Sequence, residues 1–109
     1  MAVEVPVPWS VFWPRLRAAI SSRKRITNWS RDGLVRDGDF NVIAQGDYIY
    51  AELDGGSSRS IYFAEIQVVY QVWSQYLAGS VRRGKISHDM GVYNGKYIIS
   101  ILHQFQHLM

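Results

Sequence analysis

Residues 40–53, FNVIAQGDYIYAEL, constrain the fold more than any other stretch of the chain. Two six-residue runs alternate in polarity on either side of Gly46-Asp47. Phe40, Val42 and Ala44 fall opposite Asn41, Ile43 and Gln45, and Ile49, Ala51 and Leu53 fall opposite Tyr48, Tyr50 and Glu52. A period of two marks strands with one buried face, and the Gly-Asp link predicts a β-hairpin. The turn DGGSS at 54–58 leads into a third short strand, RSIYF at 59–63. The result is a three-stranded antiparallel meander, with residues 25–29 available as a fourth strand.

The period then changes. Over residues 63–78, Ile66, Val69, Tyr70, Trp73, Tyr76 and Leu77 recur at the spacing of one helix face, and Gly79 is placed to end that helix. A last helix is expected from about Lys96 to His107, with Ile98, Ile101, Leu102, Phe105 and Leu108 on one side. The segment between, SVRRGKISHDMGVYNG, reads as a polar loop. At the other end, Pro6 and Pro8 favour an extended arm over residues 1–8. Ser10 is a candidate N-cap for a helix to about Ser22, with Pro14 in its first turn and Phe12, Leu16, Ala19 and Ile20 as its apolar stripe. The expected fold is α+β: an N-terminal helix, a three- or four-stranded antiparallel meander, and two C-terminal helices on one sheet face. Residues 1–109 read as a single domain.

Apolar residues make up 48% of the chain and aromatics 14%, enough to fill a core and to disfavour disorder. The absence of cysteine excludes disulfides, thiolate nucleophiles and cysteine-ligated metals. The amino terminus lacks a basic segment followed by an apolar one, and no apolar run is long enough to span a bilayer. A cytoplasmic protein with no membrane partner is expected.

Charge is patterned more than it is unbalanced. The net +3 conceals a basic first third (Arg15, Arg17, Arg23, Lys24, Arg25), an acidic middle (Asp32, Asp37, Asp39, Asp47, Glu52, Asp54) and a second basic cluster (Arg82, Arg83, Lys85). Arg23, Lys24, Arg25 and Arg31 bracket Trp29. Were they to meet Arg82, Arg83 and Lys85 in space, they would form a cationic face suited to phosphate, with Trp29 free to stack on bases. The competing expectation, which we favour, is that Trp29 anchors its loop to the core while the arginines are solvated.

Catalytic chemistry finds little support. His103 and His107 stand four apart, yet Gln104, Phe105 and Gln106 separate them where a helical zinc motif needs a glutamate, so they read as exposed and unligated. Gly55-Gly56-Ser57-Ser58 lacks the lysine and the following helix of a phosphate loop. Asp37 and Asp39 read as turn residues, not calcium ligands. No serine occupies a nucleophile elbow. Neither an enzyme nor a cofactor is expected.

Surplus aromatics suggest binding instead. Tyr48, Tyr50, Tyr62, Tyr93 and Tyr97 exceed what a small core requires and could cement a homodimer. Trp73, Tyr76 and Tyr93 could line a small-ligand pocket between helices and sheet.

The string Ile26, Asn28-Trp29-Ser30, Phe40, Val42, Phe63 through Tyr70, Trp73, Tyr76, Gly79, Arg82 and Tyr97 through His103 resembles small uncharacterised bacterial proteins of mobile DNA, including products of integron gene cassettes. The resemblance spans most of residues 10–105 and rests on structural positions. It implies a bacterial accessory protein and brings no activity with it. The expected function is therefore a non-enzymatic binding or adaptor domain, a homodimer with a protein or nucleic-acid partner. The alternatives are a nucleic-acid-binding accessory protein using the two basic clusters and a small-ligand pocket protein.

Overall fold

Four antiparallel strands in the order β1-β2-β3-β4 form the frame: β1 Lys24–Ile26, β2 Phe40–Gln45, β3 Tyr48–Leu53 and β4 Ser58–Tyr62. The structure is a computed structural model and describes residues 6–31, 33 and 38–109. The first five residues of the expected arm, and Asp32 and Asp37, lie outside the described residues. The hairpin of β2 and β3 pairs Gln45 with Tyr48 across Gly46-Asp47. Gly46 has φ +64°, and among the described residues no non-glycine has positive φ, so only the first turn residue has positive φ, the pattern of a type II′ hairpin turn. The optional fourth strand is real, and it pairs Lys24, Arg25 and Ile26 with Val42, Asn41 and Phe40.

Register sorts the side chains. Ile26, Phe40, Val42, Ile49, Ala51 and Ile61 are buried on one face. The opposite face carries Arg25, Asn41, Glu52, Tyr50, Tyr48 and Tyr62. The buried face meets helices from both ends of the chain.

Helix α1 spans Trp9–Ala19 and buries Phe12 and Leu16. It does not start from a Ser10 cap. The Pro8 carbonyl accepts the N–H groups of Val11 and Phe12, so Pro14 falls in the second turn, not the first. The helix also stops before Ser22, because the Ile20 carbonyl accepts the Ala44 N–H at 2.9 Å and draws the chain toward the sheet.

The single helix expected over 63–78 is two, α2 Phe63–Gln71 and α3 Trp73–Ala78. At Val72 the backbone (φ −110°, ψ 13°) tightens so that its N–H bonds the carbonyl three residues back. The break changes the phase of the stripe: Trp73 and Tyr76 stay buried, while Leu77 is turned outward and is 41% exposed. Gly79 ends α3 at φ +86°, as its position suggested.

The expected polar loop contains a short helix, α4 Arg83–His88, that buries only Ile86. The last helix, α5, spans Gly95–Gln104 and gives way to a 3₁₀ turn at Gln106–Leu108, earlier than His107. It is amphipathic as expected: Ile98, Ile101, Leu102 and Phe105 share one face, and Lys96, Ser100, His103 and Gln104 form a polar stripe opposite it. Tyr97, Ile98, Ile99, Ser100, Ile101 and Leu102 are all buried, because α2, α4 and β1 surround it. Its start is held from α2: a Glu65 carboxylate oxygen accepts the N–H groups of Tyr93 and Asn94 at 2.5 and 2.6 Å.

Candidate functional site

The segment after β1 is fastened to α5 by two polar side chains one turn apart. Gln104 accepts the Thr27 N–H through Oε1 and donates from Nε2 to the Arg25 carbonyl, both at 2.9 Å. Ser100, fully buried, accepts the Trp29 N–H at 2.9 Å. Its single proton is shared among the Lys96 carbonyl, Asn28 Oδ1 and the Trp29 carbonyl at 3.1–3.3 Å. Asp39 Oδ1 accepts the Asn28 N–H at 3.0 Å. Backbone groups that cannot reach a strand partner thus find side chains instead.

Trp29 is half-buried in an aromatic cluster. Its ring stacks on His103 at 3.9 Å with 3° between planes, meets Tyr76 edge-on at 6.5 Å and tilts against Trp73 at 6.4 Å. Burial lowers the His103 pKa from its ordinary value of 6.5, since a charged ring would lose hydration there. Trp29 therefore packs as an anchor with one face already occupied. His103 is not the exposed residue its spacing suggested, and His107 lies beyond the end of α5 in the 3₁₀ turn. Among the described residues no three histidines or carboxylates come together as metal ligands.

Fastening Trp29 places the next residues. The Arg31 N–H donates to the Tyr76 hydroxyl at 3.2 Å, and its guanidinium carbon lies 5.6 Å from the centre of the Tyr76 ring. A side chain on Gly79 would come within 3.3 Å of an Arg31 nitrogen, so the glycine leaves room for this cation as well as ending α3. Arg31 thereby meets the second basic cluster. Ser30, Arg31, Tyr76, Arg82, Arg83 and Gly84 line one depression of about 380 Å³. Among the described residues no carboxylate lines it, and none pairs with its arginines.

The remaining basic residues do not converge there. Arg23 donates to Glu52 at 2.6 Å, and Arg25 makes a two-pronged contact with Asp54 at 2.7 and 2.9 Å, on the open sheet face. The hydrogen bond between Arg25 and Asp54 raises the arginine's pKa and lowers the carboxylate's. These arginines are neutralised by the acids of β3 and the turn after it. Lys24 and Lys85 are exposed and line no part of the depression.

The three aromatics proposed as a pocket are separated. Trp73 and Tyr76 are buried, and only Tyr76 borders the depression. Tyr93 is 88% exposed and lies at a second depression of about 250 Å³, with Arg59, Arg83, Ser87, Gly95, Lys96 and Tyr97.

Sequence reasoning missed Ser100 and Gln104, whose signal was a pair of polar residues four apart on the polar stripe of α5. It also missed Arg59 and Lys96, which stand alone in sequence and meet only at the Tyr97 ring. No protein-family model, curated protein or solved structure matches the chain, and the resemblance to cassette-type proteins is neither strengthened nor weakened by that.

Proposed function

We propose that the protein is a non-enzymatic, cytoplasmic binding domain that takes the phosphates of a nucleic acid at Arg31, Arg82 and Arg83. The observation that carries this reading is the meeting of Arg31 with Arg82 and Arg83 around one open depression without a lining carboxylate among the described residues. Arginines fit phosphate oxygens through paired N–H donors. Held by Tyr76, Arg31 loses less side-chain freedom on binding than a solvated arginine would. The part of the first basic cluster that is paired with Glu52 and Asp54 is assigned no role in binding. The absence of cysteine fits a reducing compartment. Among the described residues no helix is long and apolar enough to cross a membrane.

Retention on a DNA column at increasing salt tests the reading. The parent protein is expected to elute with a steep salt dependence. Arg82→Ala with Arg83→Ala is expected to flatten it, by roughly one unit of slope for each phosphate that is no longer held. Absent or salt-insensitive retention refutes it.

A homodimer is a second reading, favoured by the open sheet face, where the Tyr48 and Tyr62 rings lie 5.3 Å apart and Tyr62 is 54% exposed. Light scattering over a dilution series tests it, and the mass of a single chain at micromolar concentration rules it out.

A further inference from the structure

The two depressions share Arg83. From Arg31 and Arg82 the cationic surface therefore passes over Arg83 to Arg59 and Lys96. The last two are held on one ring: the Arg59 guanidinium carbon lies 5.9 Å, and the Lys96 ammonium nitrogen 5.0 Å, from the centre of buried Tyr97. A third depression continues past Lys96 and Tyr97, and there Asp39 and Asp54 join its wall. Cationic side chains thus follow one another along adjoining depressions, and the series ends where carboxylates join the wall.

Tyr93 stands on this line. Its side chain is 88% exposed, yet its backbone N–H is gripped by Glu65 at 2.5 Å and the following Asn94 is the N-cap of α5. The ring is presented from a fixed backbone, with no fraying terminus to account for it. Both faces of a ring so exposed are open to stacking by a ligand.

We infer that the ligand is a single-stranded nucleic acid, its phosphates following Arg31 and Arg82 through Arg83 to Arg59 and Lys96, with a base stacked on Tyr93. The inference rests on the nucleic-acid reading above and adds the form of the polymer and the second half of its path. A duplex keeps its base faces inside and offers a protruding tyrosine nothing to stack on. A single strand offers a π-face at every nucleotide beside a phosphate, the combination of cationic groove and aromatic platform that such ligands require. Trp29 is assigned no such role, because its half-buried ring is already packed against His103, Trp73 and Tyr76.

Fluorescence anisotropy with labelled oligothymidylate and with a blunt duplex of equal length tests the inference. Oligothymidylate is expected to bind more tightly than the duplex. Tyr93→Ala is expected to weaken it about 5- to 150-fold, the range for removal of one base–aromatic stack, and Tyr93→Phe to retain the affinity. If all five cations meet phosphate, the logarithmic salt slope is about −3.5, falling to about −2 when Arg59 and Lys96 are both replaced by glutamine. The Tyr93 ring touches little of the core, so an unchanged thermal melt certifies the variant's fold. Duplex binding as tight as single-strand binding, with Tyr93→Ala without effect, overturns this inference. If Arg82→Ala with Arg83→Ala still abolishes that binding, the nucleic-acid reading survives. Binding of neither polymer overturns both.

Discussion

Replacing Ser100 by alanine removes one oxygen from the middle of α5 and tests how the loop carrying Arg31 is held. The hydroxyl accepts the Trp29 N–H, which loses this acceptor when the oxygen is gone. Leaving a buried donor unpaired costs about 1–3 kcal/mol. Alanine returns up to about 0.5 kcal/mol through its better helix propensity. The volume removed is too small for a large cavity term. The net loss is therefore about 0.5–2.5 kcal/mol, which for a domain of this size lowers the melting temperature by roughly 2–10 °C. Urea unfolding gives the free energy, and amide exchange gives its location. The Trp29 N–H is expected to exchange much faster in the variant, while amides in β2 and β3 slow or quicken only with global stability. A variant within about 0.5 kcal/mol of the parent, as for an ordinary surface change, would refute the latch.

Trp29→Ala is expected to cost about 2–4 kcal/mol, because its ring packs on His103, Trp73 and Tyr76; an unchanged melt without ligand retention would make it a binding residue instead. Burial holds the His103 pKa below 6.5, so the unfolded chain takes up a proton first as pH falls. Stability is then at its full value above about 6.5 and is lost as the pH drops toward the lowered folded value, and His103→Gln removes that dependence in urea melts. The Glu65 carboxylate supports the start of α5, so Glu65→Gln is expected to cost about 1 kcal/mol, with faster exchange at Tyr93 and Asn94; unaltered exchange there would remove its role.

The parts of the fold written in local pattern were legible. Alternation about Gly46-Asp47 specified β2 and β3, and apolar spacing from Ile66 to Tyr76 specified a helical region. The break at Val72 was not legible, since a helix continuing through it would have kept the same residues apolar and only Leu77 betrays the change of phase. Helix α4 escaped notice because six residues with one buried side chain, Ile86, carry no period. The candidate site was half legible. Arg82 and Arg83 stood out as a cluster, but their meeting with Arg31 depends on Ser100 and Tyr76, which act on the loop from 71 and 45 residues away. Arg23 and Arg25 looked equally available until the register set Arg25 against Asn41 and Glu52 and brought Asp54 within reach. Charge in sequence reports what a chain carries, and pairing across a sheet decides what it can offer a ligand.

Titrating the ¹⁵N-labelled protein with oligothymidylate while following its amide resonances tests the central claim most directly. The account predicts salt-sensitive shifts confined to Ser30–Arg31, Arg59, Arg82–Ser87 and Tyr93–Tyr97. Shifts centred on Tyr48, Tyr50 and Tyr62, or a spectrum that does not respond, would contradict it.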